Sequence, residues 1–250
     1  MQYVDYKNDQ GIVTVKLARG KVNAINETVA DEMTGCLKEL AGDAKAKAVI
    51  LTGTGKFFTF GFDIPEFLGY PKESFIRYLT KFTDLYAYLF LYPKPVIAAL
   101  NGHTIAGGCM LAIACDYRIM VPGKAKIALN EINFGSSLFA GSVDILRVLL
   151  GQREAERTAY TGAMYSAEEA QRIGLIDQIS SEADLEAEAK KIAGQYAEKD
   201  AAAFASIKKL LRGPTAEMIL KREKISILEF VDIWYSESTW KNLQGKNIHS

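Results

Sequence analysis

"KPVIAALNGHTIAGGCMLAIACDYRI", Lys94 to Ile119, is the stretch on which the architecture of this chain turns. Val96 to Leu100 is an apolar run of strand length that ends at Asn101-Gly102, and a glycine pair, Gly107-Gly108, then opens a helix-like apolar segment. The residue three past Gly107 is Met110, whose thioether neither takes nor gives a proton. The helix therefore begins on glycine and carries no acid or base in its first turn.

Outward from this segment the same succession recurs. Towards the N-terminus, "YVDYKNDQGIVTVKLA" alternates β-branched and polar residues on both sides of Gly11, which predicts two short strands joined by a turn. Val29, Met33, Leu37 and Leu40 follow at helical spacing, with Asn26 suited to the N-cap. "KAVILTG" is a continuous apolar run closed by glycine, the pattern of a parallel strand covered on both faces. Towards the C-terminus, "DYRIMVPGKAKIALNE" supplies further strands and a helix is expected from about Ser142. The fold class is thus α/β, built from repeated strand, strand, helix units.

From about Ser166 the pattern becomes helical. Leu185, Ala189, Ile192, Ala193 and Tyr196 mark one amphipathic helix and "AAAFASIKKLLRG" a second. "PTAEMILKREKISILEFVDIWYSES" predicts a long third, with Pro214 in its first turn. We divide the chain into an α/β core over 1–190 and a C-terminal helical region over 191–250. No Ser/Gly linker parts them, so the helices pack on the core or on a neighbouring subunit. Phe230, Trp234 and Tyr235 suit an interface and suit the chain's own core equally.

Composition narrows the function classes. With 49% hydrophobic and 24% charged residues, a chain of 250 residues can bury a sizeable core. Thirty basic residues balance thirty acidic ones, so nothing recommends nucleic acid or an anionic membrane as partner. Cys36, Cys109 and Cys115 form an odd set without C-x-x-C spacing, against a disulfide framework or a zinc site. The start lacks the basic and apolar regions of a signal peptide, and no apolar run reaches the roughly 18 to 20 residues of a membrane span. A cytoplasmic location, or a mature organellar form, is the expectation.

Three constellations invite chemistry. "LTGTGKFFTFGFD" places Gly53, Gly55 and Lys56 after a strand, but a phosphate loop fails at Ile50 and Phe57 and a dinucleotide fingerprint fails at Phe58. What survives is a loop in which Gly61 lets backbone approach a ligand. At Gly107 a helix N-terminus can offer a bare N–H to an oxyanion, although both glycines equally suit a tight turn or close packing. Glu131, in "KIALNEINFGS", ends an alternating strand beside Ile132 and Phe134, where desolvation would raise its pKa toward that of a useful base. As a rule a lone glutamate after a strand is solvated or capping. His103 and His249 lack metal-ligand partners, and Ser136 and Ser137 lack the context of a hydrolase elbow.

These residues resemble the enoyl-CoA hydratase/isomerase (crotonase) superfamily over nearly the whole chain. The segments that match are "VNAINETVADEM", "AVILTGTGKFFTFGFDI", "KPVIAALNGHTIAGGCMLAIACDYRI", "IALNEINFG" and "AERTAYTGAMYSAEEAQRIGLIDQIS", in that order. The resemblance implies a crotonase-like spiral of β-β-α units with a C-terminal helical oligomerisation region, and an acyl-CoA thioester as substrate. It implies that two backbone N–H groups, at Phe60 and Gly107, hold the thioester oxygen as an enolate. Phe60 departs from the small residue usual there.

Hydratases of the superfamily carry two glutamates, one at the place of Met110 and one at that of Glu131. Methionine cannot orient water, so hydration is expected to be weak or absent, and "GSSLFAGS" in place of a Gly-rich segment points the same way. The match with mitochondrial-type Δ3,Δ2-enoyl-CoA isomerases, in "AGGCMLAIACDYRI" and "IALNEINFG", implies that Glu131 acts as a single base and that Met110 lines the acyl pocket. Phe139 stands where dienoyl-CoA isomerases have a further acid and is expected in the same pocket. Lys21, Val22 and Ala24, with Lys56 and the run Phe60, Gly61, Phe62, Asp63 and Ile64, match the region that contacts coenzyme A. No metal or redox cofactor is implied, coenzyme A being part of the substrate, and the assembly implied is a homotrimer or a dimer of trimers. Two other readings stand beside this one. In a decarboxylase or thioesterase His103 or Asp144 would act, and in a non-catalytic acyl-CoA scaffold the buried Glu131 would gain nothing.

Overall fold

The computed structural model describes residues 1–244. His249 lies outside the described residues. Strands β1 (Val4–Asp9) and β2 (Ile12–Leu17) form an antiparallel hairpin in which Asp9 faces Ile12. Its two-residue loop has φ of 53° at Gln10 and 95° at Gly11, the doubly positive geometry that matches strand twist. Helix α1 (Glu27–Gly42) starts where Asn26 accepts the Val29 N–H, and it buries Val29, Met33, Leu37 and Leu40 as their spacing predicts.

After α1 each turn of the chain adds one strand to each of two sheets. The first turn is β3 (Ala48–Gly53) and β4 (Phe57–Thr59), followed by short α2 (Ile64–Phe67) and α3 (Lys72–Phe90). The second is β5 (Val96–Leu100), β6 (His103–Ile105) and α4 (Gly107–Ala114); the third is β7 (Tyr117–Met120), β8 (Ile127–Ala128) and, after a 3₁₀ turn at Glu131–Phe134, α5 (Ala140–Thr161). Then come α6 (Ala167–Arg172), β9 (Gln178–Ile179), α7 (Leu185–Ala197), α8 (Ala201–Trp234) and α9 (Glu237–Gln244). The larger sheet runs β1-β2-β3-β5-β7-β9, parallel beyond the hairpin, and the smaller is an all-parallel β4-β6-β8. This is the expected repetition of β-β-α units. The smaller sheet ends in the loops that carry Phe60, Gly107 and Glu131.

Every residue of β5 and α4 is buried, so the segment that opened the sequence analysis is the centre of the molecule. The sequence reading omits one element and divides another. Helix α3 is a 19-residue element that the sequence reading leaves unassigned, and it buries Phe75, Tyr78, Leu79, Phe82, Tyr86 and Leu89. The second and third tail helices are one, since α8 runs through Pro214. Proline there removes a single backbone hydrogen bond, and the packing on either side holds the helix across the gap. Before Pro214, Lys208 and Arg212 reach the Asp116 carboxylate at 2.7 and 3.2 Å; after it, Ala216, Ile219 and Glu223 are buried. Helix α7 crosses position 190 and lies on the larger sheet.

Phe230 and Trp234 complete the chain's own core, whereas Tyr235 is half-buried and stacks on Trp240. Another face of α8 leaves Ile207, Leu210, Leu211, Leu220 and Ile225 exposed. All three cysteines are buried and unpaired. Among the described residues no helix is long and apolar enough to cross a membrane.

Candidate active site

A cavity of about 510 Å³ opens where the ends of the smaller sheet meet α8. Lys21 and Val22 reach it from the loop after β2, and Phe57, Phe60, Phe62 and Ile64 from β4 and the turn into α2. Ile105 and Ala106 come from the end of β6, Asn130, Glu131 and Phe134 from the 3₁₀ turn, and Phe230 and Trp234 from α8. Most of this wall is hydrocarbon, and among the described residues Glu131 is the one carboxylate that lines it.

Parallel pairing of β4 with β6 sets the turn at Gly61 against the turn at Gly107. A Cβ on Gly61 would come within 2.8 Å of the Ile105 carbonyl oxygen and 3.1 Å of the Gly107 nitrogen, and one on Gly108 within 2.6 Å of the Thr59 carbonyl oxygen. The glycines are therefore packing requirements, one of the two roles their sequence allows. The other role is also open. The Gly107 N–H lies in the first turn of α4, where it has no intrahelical partner, and no acceptor takes it among the described residues. Ala106 turns the chain into that helix at φ 52°, ψ −119°, a conformation that strains any residue with a Cβ.

The second expected donor is not free. The Phe60 N–H donates to the Val22 carbonyl at 3.0 Å, so it reaches a ligand only by sharing that bond or by a shift of the loop carrying Val22. The Phe60 ring meets Phe57 edge-on at 5.7 Å and forms cavity wall.

Glu131 follows β8 and opens the 3₁₀ turn that closes at Gly135, whose φ is 81°. Thr239 of α9 pins this turn by donating to the Gly135 carbonyl at 2.6 Å. The carboxyl is 4% exposed and its Oε2 has no hydrogen-bond partner. Burial pushes its pKa up to about 8, against a smaller lowering by its own backbone N–H. A carboxyl in that range can hold or release a proton near neutral pH, as a base that works on carbon must.

Of the residues expected from sequence, Lys21, Val22, Phe60, Phe62, Ile64 and Glu131 line the cavity. Met110 is 1% exposed and is not among the residues that line the cavity. Phe139 is likewise buried, behind Phe230 at 4.5 Å and Phe62 at 6.3 Å between ring centres. Ala24 and Lys56 also fall outside the lining; the Ala24 carbonyl takes a hydrogen bond from Arg19 and the Lys56 carbonyl one from the His103 N–H. Asp63 has a local use, capping α2 through the Glu66 N–H and pairing with Arg19 at 2.6 Å.

The candidate groups of the rival enzyme readings stand elsewhere. His103 packs on Phe57, its pKa lowered by burial and by Lys126, and Asp144 is held by Arg222 at 2.9 Å. Neither lines the cavity. The sequence reading missed Phe57, Ile105, Asn130 and Phe134 as wall, and it offered Phe230 and Trp234 only as core or interface. The apolar alternation around Glu131 carried some signal for Phe134; the others reach the cavity only through tertiary packing. Among the described residues no cluster of His, Cys, Asp or Glu is placed to hold a metal ion.

Comparison with known proteins bears on the family and the fold. The pattern of the enoyl-CoA hydratase/isomerase family matches residues 7–240. The mitochondrial enoyl-CoA delta isomerase 1 of Mus musculus is 28% identical over 242 residues, 96% of this chain and 84% of that protein. A probable enoyl-CoA hydratase of Bacillus subtilis is 29% identical over 248 residues, 98% of this chain and 95% of that protein. The crystal structure of human mitochondrial delta3-delta2-enoyl-CoA isomerase superposes with a TM-score of 0.94 at 28% identity, over 97% of this chain and 96% of that one. The match spans nearly all of the sequence, and two sheets fed alternately by β-β-α turns account for the likeness in structure: this chain belongs to the enoyl-CoA hydratase/isomerase family and has the crotonase fold.

Proposed function

We propose that the protein is a Δ3,Δ2-enoyl-CoA isomerase, moving the double bond of a 3-enoyl thioester to the 2-trans position with Glu131 as the only acid–base group. The observation that supports this reading is a single carboxylate in a mostly apolar wall, with Met110 where hydratases place a second acid. Glu131 removes a proton from C2, and the electron pair forms a C1=C2 bond as the carbonyl pair moves onto the thioester oxygen, giving a dienolate conjugated with C3=C4. The Gly107 N–H stabilises that oxygen, joined by the Phe60 N–H when the bond to Val22 is shared or released. Glu131 then returns the proton to C4, and the double bond settles between C2 and C3. Protons and electrons balance within the substrate, so the reaction calls for no metal and no redox cofactor.

Hydration in the manner of the family's hydratases would need a second carboxylate to manage the proton of water, and among the described residues none lines the cavity besides Glu131. A wall of Phe62, Phe230 and Trp234 also keeps water from the dienolate. Because several similar proteins bear hydratase names, the test sets the two activities side by side. With 3-hexenoyl-CoA and crotonyl-CoA at equal concentration, isomerisation is expected to exceed hydration by at least about a hundredfold. Comparable rates would end the isomerase reading. The same reading places identical chains against the exposed apolar face of α8, as a homotrimer.

A further inference from the structure

Helix α5 begins immediately after the segment that carries Glu131, and it does not cap itself: Phe139, at the N-cap, makes no side-chain hydrogen bond. The orphan N–H groups of its first turn are satisfied from α8 instead. Ala140 donates to Ser226 Oγ at 3.0 Å and Gly141 to Glu223 Oε2 at 2.8 Å. Tyr86 of α3 donates to the other oxygen of Glu223, and Ser226 Oγ donates back to the Glu223 carbonyl at 2.9 Å. A Cβ on Gly141 would stand 2.6 Å from the Tyr86 hydroxyl and 3.0 Å from Glu223 Oε1, so the joint admits only glycine. A carboxyl 9% exposed is a costly way to cap a helix unless the geometry it fixes is needed. Burial pushes this carboxyl up to about 7, opposed by the Gly141 N–H and Ser226.

What the joint fixes is Phe139, whose ring sits between Phe62 and Phe230, and both of these line the cavity. We propose that Glu223 is a positioning residue that sets acyl-chain length: by capping α5 from α8 it holds Phe139 in place as the backing of the acyl cavity. The inference rests on the reading that the cavity takes the acyl chain, not on the bond shift. Loss of the cap frees the first turn of α5, lets Phe139 withdraw and deepens the cavity for longer chains.

The test is the ratio of affinities for dodecanoyl-CoA and hexanoyl-CoA, saturated esters that do not react, measured by calorimetry on the full chain. Glu223→Ala should shift this ratio toward the longer ester by about fivefold or more. Glu223→Gln should leave it within about twofold of the parent, since the amide oxygen accepts from Gly141 while its NH₂ donates to Tyr86. Phe139→Leu, with the cap intact, should reproduce the shift and serves if Glu223→Ala does not fold. A purely structural role would lower the melting temperature of Glu223→Ala and leave the ratio unmoved. That outcome overturns the proposal, as does an equal shift in Glu223→Gln or, where Glu223→Ala is unfolded, an unmoved ratio in Phe139→Leu. A parent protein that binds both esters without isomerising 3-hexenoyl-CoA would refute the isomerase reading alone; one that binds neither refutes both.

Discussion

Glu131 occupies a place where ionisation is costly, and that cost is visible in two measurable quantities. As a base it must be unprotonated, so kcat/KM for isomerisation should climb with pH, reach half its plateau near 8, the value to which burial raises it, and level off above that. Glu131→Gln should lower kcat by about three orders of magnitude or more while the affinity for saturated acyl-CoA holds. Stability runs the other way. The unfolded carboxyl titrates near 4.5 and the folded one near 8, so between these values the folded chain holds the extra proton. The stability this group contributes is whole below about 4.5 and drains away as the pH climbs to about 8. Glu131→Gln should therefore gain in melting temperature over the parent as pH rises from 5 to about 8, and a constant difference would speak against the burial. Glu223, raised to about 7, pushes stability in the same direction and remains in both proteins.

Apolar neighbours at the end of a strand made Glu131 a candidate in the sequence, and the family resemblance, not the local pattern, gave it the role of base. The sequence could not reveal that the Phe60 N–H is taken by Val22, since a hydrogen bond between two loops leaves no trace in composition or period. Nor could it reveal strain at Ala106. Ala106→Gly relieves a positive φ and should raise stability by about 1 kcal/mol in denaturant titration, less the entropy glycine adds to the unfolded chain.

At the scale of elements, what was legible followed local rules. The β1-β2 hairpin, α1 with its Asn26 cap and the buried strands β3 and β5 all sit where period and punctuation place them. Helix α3 repeats apolar residues at helical spacing yet starts behind Pro71 with no side-chain cap, so it lacks the start signal that marked α1. Helix α8 shows a local rule overridden: Pro214 reads as a beginning, but Lys208 and Arg212 anchor the preceding turns to Asp116, and the chain stays helical. Restoring an N–H with Pro214→Ala should return the hydrogen bond to the Leu210 carbonyl and stabilise the protein by about 1–2 kcal/mol, read from chemical unfolding. A loss of stability would mean that the proline shapes the helix rather than merely being tolerated.

For the whole molecule, the crotonase architecture was legible because it is a succession of units, each with its own turn signals, and five ordered segments carried the resemblance. Which side of the tail faces inward was not. Phe230 and Trp234, apt for an interface, are inside, and the exposed residues are the plain aliphatics Leu210, Leu211 and Ile225. The proposed homotrimer would cover this apolar face with like chains. Light scattering on the eluting protein should give the mass of three chains or a multiple of three, and Leu210→Glu with Leu211→Glu should reduce it to one. A parent that runs as a monomer would contradict the assembly.

The central claim is that one carboxylate carries a proton between two carbons of the same substrate. Isomerising 3-hexenoyl-CoA labelled with deuterium at C2 and locating the label in the product by NMR tests it directly. Transfer by Glu131 in its water-poor cavity predicts 2-hexenoyl-CoA with deuterium at C4; a product whose new C4 hydrogen comes wholly from solvent, or a 3-hydroxyacyl ester as the main product, would contradict it.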